Sequence, residues 1–518
     1  MAERARLVMP VWTTEAALDC DPPWGYTPRR LAKPYHLAYH VFDALAAPAA
    51  ATLPDGRRFA DFSRIEGRLA ESFEPRDDDS RWIVTLRDGV RSHAGHELSA
   101  EDVVWSYQRV FAFRAVGMWR ASTIAGVARE GGVRVLDRRR VEFRIDGHNP
   151  HFPRFLAYAT AAIIDSTEAR QHATEDDPWA AEYLADNSCG FGGFAMTHRD
   201  AERLELEPRP DFWAGAPPVD GVRYLSASSR AAALTLFENG RANVIAGLYP
   251  DEAERLRAAG DVDLLLSRTN HATIEMDRSR PPFDDRRARE AVLRAVPYDR
   301  IVHDAYGGYA ERQRGIYQPN SPGFTDAGWD HEQDLGRASR LLEEAGAVGA
   351  EVTFGIPGGG DPSDLASGEP RRIGAAVSEA LGAIGLRVRV RHISDLGDGE
   401  APELYLRGDC SHGIADRQYD LGIDFSPPHD MPGRLFPTPR VSARMRAIRH
   451  APSAEQPALY EALQRDLIAD AACVPLAGHT YVVAYRRGLH PWFLTEQYLP
   501  LHCFLWSHAR YVIRPLGF

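Results

Sequence analysis

One stretch of the sequence, Leu86–Val110, constrains the fold more than any other, because it predicts a turn, a loop and a capped helix in succession. The predicted strand Trp82–Leu86 leads into a turn at Asp88 and then into a loop rich in histidine and glycine. Ser99 is the predicted N-cap, and Asp102 three residues later resembles the acidic member of a capping box. Apolar residues then recur at helical spacing, which predicts one buried helix face.

The length and charge of the chain limit the class of protein it can be. At 518 residues it exceeds what a single hydrophobic core supports, so we expect roughly two to four lobes. The net charge of −12 argues against non-specific nucleic-acid binding and against an anionic membrane surface, since both require a basic patch. No segment is apolar over the length that spans a bilayer. We therefore expect neither a nucleic-acid partner nor a membrane span.

The N-terminus and the cysteines bear on the compartment. The stretch Met1–Trp12 has charged residues and a short strand-like run, without the apolar segment and cleavage site of a signal peptide. The five cysteines are odd in number and lack CxxC spacing, which fits reduced thiols and predicts neither a zinc site nor a disulfide framework. We expect a cytoplasmic protein. The alternative is a periplasmic or extracellular chain whose signal peptide has been removed.

The rest of the chain alternates strands and helices, which predicts an α/β fold. A strand over Glu351–Ile356, a helix over Arg371–Ile384 and a strand over Leu386–Val390 form a predicted βαβ unit. An apolar helix is predicted around Tyr35–Leu45, and a short strand over Cys473–Leu476.

Two glycine-rich stretches carry no recognised chemistry. Ser188–Phe194 lacks the GxSxG order of a nucleophile elbow, and Gly358–Ser363 lacks the Lys-Ser/Thr of a phosphate loop. The histidines form no metal-binding pattern with nearby carboxylates, and HEL is not HExxH. We expect no metal and no cofactor.

Five motifs in order resemble the family 5 extracellular solute-binding proteins, the dipeptide, oligopeptide and nickel binders of ABC importers. The resemblance covers nearly the whole chain. The matching segments are DGVRSHAGHELSAEDVVWS (Asp88–Ser106), GGFAMTHRDAERLELEPRPDFWAGAPPVD (Gly192–Asp220), PPFDDRRAREAV, ASRLLEEAG and AACVPL (Ala471–Leu476).

The resemblance implies a periplasmic-binding-protein type II fold, with two hinged α/β lobes around a ligand and an extra small lobe of the cluster C type. The implied division is lobe I at 1–45, 180–268 and 480–518, a small β-rich lobe at 46–179, and lobe II at 269–479. A cleft between lobes suits a small-molecule ligand.

The sequence departs from the family inside its first motif, where Phe-His-Asp-Gly is replaced by Ser-His-Ala-Gly. Together with the apparent lack of a signal peptide, this departure favours recruitment to another task. Some bacterial β-carboline enzymes of the Pictet–Spengler type resemble this family and use a glutamate as acid and base. We therefore expect a cytoplasmic enzyme that condenses L-tryptophan with an aldehyde or oxoacid. The alternative is a peptide- or small-solute-binding component of an ABC importer.

If the chain is like those enzymes, Glu97 is the catalytic acid and base, with its pKa raised by an apolar pocket against the pull of the helix N-terminus. His93 is the predicted proton relay. Arg91 is the predicted clamp for a substrate carboxylate, with Arg64 and Arg68 as alternatives. A solvated loop carboxylate and surface arginines are the competing interpretations.

Peptide binders of the family supply an aspartate to the α-ammonium group of the ligand. The corresponding region here is GIDFSPPHDM, in which Asp424 and Asp430 lie near that position but out of register. We include both as predicted substrate-binding residues.

Overall fold

The computed structural model describes residues 6–11, 14, 18–20, 40–52, 58–113, 116–158, 161–217, 219–316, 324–356, 370–396, 400–410 and 439–489. Within these ranges strands and helices are both abundant, and the predicted α/β class is confirmed.

The strands are numbered in chain order. They are β1 Leu7–Val11, β2 Asp43–Ala44, β3 Ala46–Thr52, β4 Arg58–Gly67, β5 Ala70–Arg76, β6 Arg81–Leu86, β7 Val133–Asp137, β8 Arg140–Arg144, β9 Ala162–Ile163, β10 Phe194–Arg199, β11 Arg203–Pro208, β12 Val222–Ser226, β13 Val244–Ala246, β14 Val262–Met276, β15 Ala310–Arg312, β16 Glu351–Ile356, β17 Arg387–His392, β18 Leu404–Cys410 and β19 Cys473–Arg486.

The α-helices are numbered in the same way. They are α1 Ala100–Phe113, α2 Val116–Trp119, α3 Phe152–Phe155, α4 Ser166–Gln171, α5 Ala181–Asp186, α6 Arg230–Glu238, α7 Pro250–Ala258, α8 Arg286–Ala295, α9 Tyr298–Arg300, α10 Leu335–Glu344, α11 Pro370–Ala383, α12 Pro439–Arg449 and α13 Gln456–Ala469. Two π-helical turns, Arg120–Ile124 and Ile301–Ala305, continue α2 and α9, and a 3₁₀ turn occupies Ile393–Asp395.

Three larger sheets organise these strands. Sheet A has the order β1-β12-β11-β10, with β1 parallel to β12. Sheet B has the order β13-β19-β14-β18-β16-β17, with β15 also paired to β19. Sheet C is the antiparallel set β5-β6-β8-β7. Two further two-stranded sheets, β2-β9 and β3-β4, lie outside these three sheets.

Each larger sheet contributes to a hydrophobic core of its own. Core A joins sheet A to one end of β19 and contains Leu206, Tyr224 and Val483. Core B packs the β16 and β18 part of sheet B against α8, α10 and α11. Core C lies under sheet C and includes Tyr107 and Phe143, whose rings meet edge to face with centroids 5.0 Å apart. Helix α1 contacts both core C and core A, because Trp105 belongs to the latter.

Most local predictions match the structure. Strand β16 has the predicted bounds, and it runs parallel to β17 after helix α11, which confirms the βαβ unit. The predicted helix around Tyr35–Leu45 is wrong at its end, because Asp43–Ala44 is a strand paired with β9. The strand predicted over Cys473–Leu476 is too short, since β19 continues to Arg486 along β14.

Candidate functional site

The hallmark loop, residues 88–99, folds back on itself ahead of helix α1. The amide of Ser92 donates to the carbonyl of His96 at 2.8 Å, and the amide of Gly95 donates to that of Ser92 at 3.1 Å. Gly95 has a φ of 86°, a left-handed conformation that favours glycine. The Arg91 guanidinium donates to the carbonyl of Gly95 at 2.9 Å. The loop is therefore held by its own hydrogen bonds.

Arg209 fastens this loop to the glycine-rich segment that precedes β10. Its guanidinium donates to the carbonyl oxygens of Ser92 at 2.9 Å and Gly192 at 3.3 Å, and it pairs with Asp211 at 3.0 Å. The residue is only 6% exposed, so its charge is stabilised by these contacts. Sequence reasoning missed Arg209, and the available signal was its place inside a motif shared with the family.

His93 makes a second connection to the same segment. Its ring nitrogens lie 2.7 Å from the carbonyl oxygen of Gly190 and 2.8 Å from that of Phe194. Burial lowers the pKa of His93 to about 4, and the positive charge of Arg209 acts in the same direction. The ring is therefore neutral near pH 7, and both nitrogens face backbone groups.

Glu97 lies at the protein surface beside Arg138. Their side chains form an ion pair at 2.7 Å, and the amide of Gly89 donates to Glu97 at 3.4 Å. The hydrogen bond from Arg138 holds the pKa of Glu97 below its ordinary value. An acid and base working near neutrality needs a raised pKa. Glu97 also forms a β-bridge with Arg91, so these two predicted residues lie together.

Arg64 lies in β4 and Arg68 follows its last residue, yet the two side chains occupy different environments. The Arg68 side chain is buried and forms an ion pair with Asp43. The other carboxylate oxygen of Asp43 accepts a hydrogen bond from the Trp213 indole at 3.1 Å, and the Arg68 guanidinium lies 5.6 Å from the centre of that ring system. The Arg64 side chain is exposed. The structure therefore separates the two arginines that the sequence treated as equivalents.

Strands β14 and β19 connect the cores. They pair antiparallel along nearly their whole lengths, from Val262 opposite Arg486 to Glu275 opposite Cys473. One end of β19 belongs to core A and the other to core B. The pairing shifts register near the middle, after Arg268 and again after Ala272. Such bulges bend strands and leave backbone groups unpaired, so this middle region suits a hinge and a ligand contact.

Strand β18 ends beside the same middle region. Its last residue, Cys410, pairs with Asn270 of β14. The segment 411–438, which contains Asp424 and Asp430, follows directly in the sequence. Both aspartates lie outside the described residues. Cys410, the last described residue before them, lies beside the region where β14 and β19 change register.

A groove of about 700 Å³ lies between α7 and α11. Its charged groups are engaged with one another: Arg300 and His303 both contact Asp304, at 3.3 and 2.8 Å. On α7, Glu254 pairs with Arg257 and accepts a hydrogen bond from the Tyr309 hydroxyl. We do not assign this groove to a ligand.

Comparison with known proteins places the chain in a family. The model of the bacterial extracellular solute-binding proteins, family 5 Middle, matches residues 64–414. The di/tripeptide-binding protein 2 of Pseudomonas aeruginosa is 24% identical, covering 75% of this chain and 75% of that relative. The probable D,D-dipeptide-binding periplasmic protein DdpA of Escherichia coli is 22% identical, covering 82% and 81%.

Solved structures show the same fold over almost the whole chain. The periplasmic binding protein DppA from Helicobacter pylori, in complex with the peptide STSA, has a TM-score of 0.74 at 20% identity and covers 93% of this chain and 94% of that one. A dipeptide-binding protein from Pseudoalteromonas in complex with Met-Leu has a TM-score of 0.75 at 17% identity, covering 93% and 96%. The predicted binding-protein fold is confirmed.

These comparisons correct the main functional expectation. The relatives and neighbours are named as binding proteins, and nothing among them supports a Pictet–Spengler enzyme that forms a β-carboline. That prediction is wrong, so the reaction in which Glu97 and His93 were expected to act as acid and base and as proton relay is not proposed further. The hallmark loop packs against the segment before β10 through His93 and the backbone of Ser92.

The comparisons also bear on location. The expected cytoplasmic location has no support, because the matching family is described as extracellular. Among the described residues, no helix has both the length and the apolar character that a membrane crossing requires. With a family match over residues 64–414 and the fold shared over 93% of its length, the chain belongs to the bacterial extracellular solute-binding proteins of family 5.

Proposed function

We propose that this protein is the solute-capturing component of an ABC importer and that its ligand is a short peptide or a solute of similar size. In this proposal it works outside the cytoplasmic membrane. The observation that carries it is the pair β14 and β19, which joins core A to core B and changes register midway. Two bodies joined by a narrow connection can close around a ligand and release it.

The proposal keeps the division of the chain into lobe I (1–45, 180–268 and 480–518), a small lobe (46–179) and lobe II (269–479). Two observations support these boundaries. The boundary at 268/269 coincides with a register shift in β14. Core C consists almost entirely of small-lobe residues.

Peptide ligands are favoured because the relatives in Pseudomonas aeruginosa and Escherichia coli are named for di- and tripeptides. A peptide carries an ammonium group that needs an acidic partner. Asp424 and Asp430 are our proposed partners, because their segment follows the end of β18 beside Asn270. Arg68 is not part of this proposal, since its guanidinium is committed to Asp43.

Calorimetry with a panel of di- and tripeptides tests the proposal. We expect at least one free peptide to bind, its N-acetylated form to bind far more weakly, and Asp424→Asn or Asp430→Asn to weaken the free peptide selectively. Small-angle scattering should show the protein becoming more compact with the bound peptide. The peptide assignment fails if no panel member produces heat or compaction. Binding that is equal for free and acetylated forms would remove the aspartates from the site.

A further inference from the structure

A polar contact joins lobe II to the small lobe. It involves α12 and the start of α13 and does not include the strands β14 and β19. On the lobe II side, α12 and α13 pack together in a hydrophobic cluster that includes Met445 and Leu463. On the small-lobe side lies core C, and the two apolar clusters have no residue in common. Bodies with separate cores and a polar contact between them can separate without exposing either core.

Arg449, the last residue of α12, enters the small lobe. Its guanidinium donates to the carbonyl oxygens of Ser122, Thr123 and Ile124, with distances of 3.4 Å to the first and the last. These carbonyls are at the C-terminal end of the π-helical turn Arg120–Ile124, where partial negative charge accumulates. Arg449 is 7% exposed. A lobe II arginine thus caps a helical end in the small lobe.

Further hydrogen bonds cross the same boundary. The amide of His148 donates to the carbonyl of Arg449 at 2.8 Å, and the Gln456 side chain donates to the carbonyl of His148 at 2.9 Å. The amide of Ser453 donates to the carboxylate of Asp78 at 3.2 Å. We call this set the Arg449 clasp: Arg449, Ser453 and Gln456 on one side, and Asp78, Ser122–Ile124 and His148 on the other.

The backbone of the small lobe is shaped around Arg449. Gly126 and Gly147 have φ values of 81° and 91°. A Cβ atom at Gly147 would lie 2.6 Å from the carbonyl oxygen of Arg449 and 2.8 Å from its Cγ. A Cβ at Gly126 would lie 3.2 Å from the Cδ of Arg449. A side chain at Gly147 would collide with the clasp.

Asp78 is presented by a strained turn. Asp77, Asp78 and Asp79 all have left-handed φ values, of 51°, 52° and 63°. Consecutive non-glycine residues in this region are uncommon and cost conformational energy. The hairpin between β5 and β6 adopts this turn at the point where Ser453 reaches it.

We propose that the Arg449 clasp fixes the arrangement of lobe II against the small lobe seen in this structure and thereby acts as a positioning element for ligand retention. The strands β14 and β19 connect lobe II to lobe I, whereas the clasp connects lobe II to the small lobe. A rotation about β14 and β19 must break the clasp or be prevented by it. A ligand that favours this arrangement also favours the clasp, and the coupling is reciprocal. The link to ligand retention rests on the proposed function; the clasp itself does not.

Hydrogen exchange of the ligand-free protein, read at single residues by mass spectrometry, tests the clasp directly. The amide of His148 bonds across the boundary, whereas the amide of Ala128 bonds to the carbonyl of Arg144 inside the small lobe at 3.0 Å. We expect Arg449→Ala to accelerate exchange at His148 by about tenfold or more and to leave Ala128 unchanged. The matched control is Arg446→Ala, an exposed arginine on the same helix, which should change neither amide.

Two outcomes would overturn the clasp. Unchanged exchange at His148 in Arg449→Ala would show that the boundary does not depend on this residue. Equal acceleration at His148 and Ala128 would show that Arg449 supports the fold of the small lobe instead. If Arg449→Ala does not fold, Gly147→Ala acts from the opposite side and should give the same selective acceleration.

A mixture of di- and tripeptides then tests the coupling. We expect the peptide mixture to slow hydrogen exchange at His148 in the wild type. We also expect the peptides to bind Arg449→Ala about tenfold more weakly than they bind the wild type. Equal binding by both proteins would refute the coupling. No response of the wild type to the mixture, with selective acceleration at His148 intact, would count against the peptide function and leave the clasp standing.

Discussion

The carboxylate of Asp102 accepts a hydrogen bond of 2.7 Å from the hydroxyl of Ser166, a residue 64 positions later in the chain. The same carboxylate oxygen accepts the amide of Ser166 at 2.9 Å. Its other oxygen accepts the amide and the hydroxyl of Ser99, at 2.8 and 3.0 Å. One side chain therefore holds the start of α1 and the start of α4 together.

We expect Asp102→Ala to destabilise the protein by about 3 kcal/mol, because it leaves buried donors on both helices without their acceptor. Urea unfolding followed by tryptophan fluorescence and by circular dichroism measures the loss. Glu101→Ala is the matched control, since that neighbouring carboxylate is exposed. Equal midpoints for the two variants would contradict the bridging role.

The sequence predicted the contact between Ser99 and Asp102 and did not predict the contact between Asp102 and Ser166. Ser99 and Asp102 lie three residues apart, and the pattern of a helix N-terminus is visible at that spacing. Asp334 likewise caps α10, with its side chain accepting the amide of Arg337 at 2.8 Å. Ser166 could not be predicted as a partner, because its approach depends on how α4 packs against α1.

Contacts between distant segments explain the predictions that failed. Strand β19 was predicted to end at Leu476, yet it continues to Arg486 because β14 pairs with it over that length. Gly190 was seen as part of a glycine-rich stretch without a role. A Cβ atom there would lie 2.5 Å from the ring of Phe42, so the glycine permits close packing. No local pattern reveals either neighbour.

His93 gives the stability of the protein a specific pH dependence. Its pKa is lowered to about 4 in the folded protein, mainly by burial, against about 6.5 when unfolded. Between these values the unfolded chain binds more protons, so stability is present above pH 6.5 and is lost as the pH falls toward 4. The loss is at most about 3 kcal/mol.

Unfolding of the wild type and of His93→Gln between pH 4 and 6.5 measures how much His93 contributes to the pH dependence of the unfolding free energy. We expect the difference in unfolding free energy between the two proteins to shrink as the pH falls from 6.5 to 4. His303→Gln is the control, because the His303 side chain is 87% exposed. A difference between wild type and His93→Gln that is constant with pH would show that this ring does not remain neutral.

Glu97→Gln tests whether the hallmark loop contacts a ligand. The structure gives Glu97 a surface ion pair with Arg138 and a lowered pKa, an environment that stabilises a solvated carboxylate. We expect Glu97→Gln to bind any peptide identified by calorimetry with the affinity of the wild type. Arg138→Gln is its matched partner and should behave in the same way. A selective loss of affinity in Glu97→Gln would return this residue to the binding site.

Arg68 and Arg64 provide the sharpest comparison between sequence and structure. They are four residues apart in the chain, and both were predicted to hold a ligand carboxylate. Asp43 pairs with Arg68, and the indole of Trp213 donates to Asp43, whereas Arg64 is exposed. Only the folded chain brings Asp43 and Trp213 to the same point, so the sequence could not distinguish the two arginines.

We expect Arg68→Ala to destabilise the protein by about 3 to 5 kcal/mol, because it leaves the Asp43 carboxylate buried without its cation. Arg64→Ala should change the unfolding free energy little, as surface substitutions generally do. The double variant Asp43→Asn with Arg68→Met should recover part of the loss, since it removes both buried charges together. Urea unfolding of the four proteins measures these differences. If Arg68 bound the ligand, Arg68→Ala would instead lower the affinity for the peptide and leave the unfolding free energy unchanged.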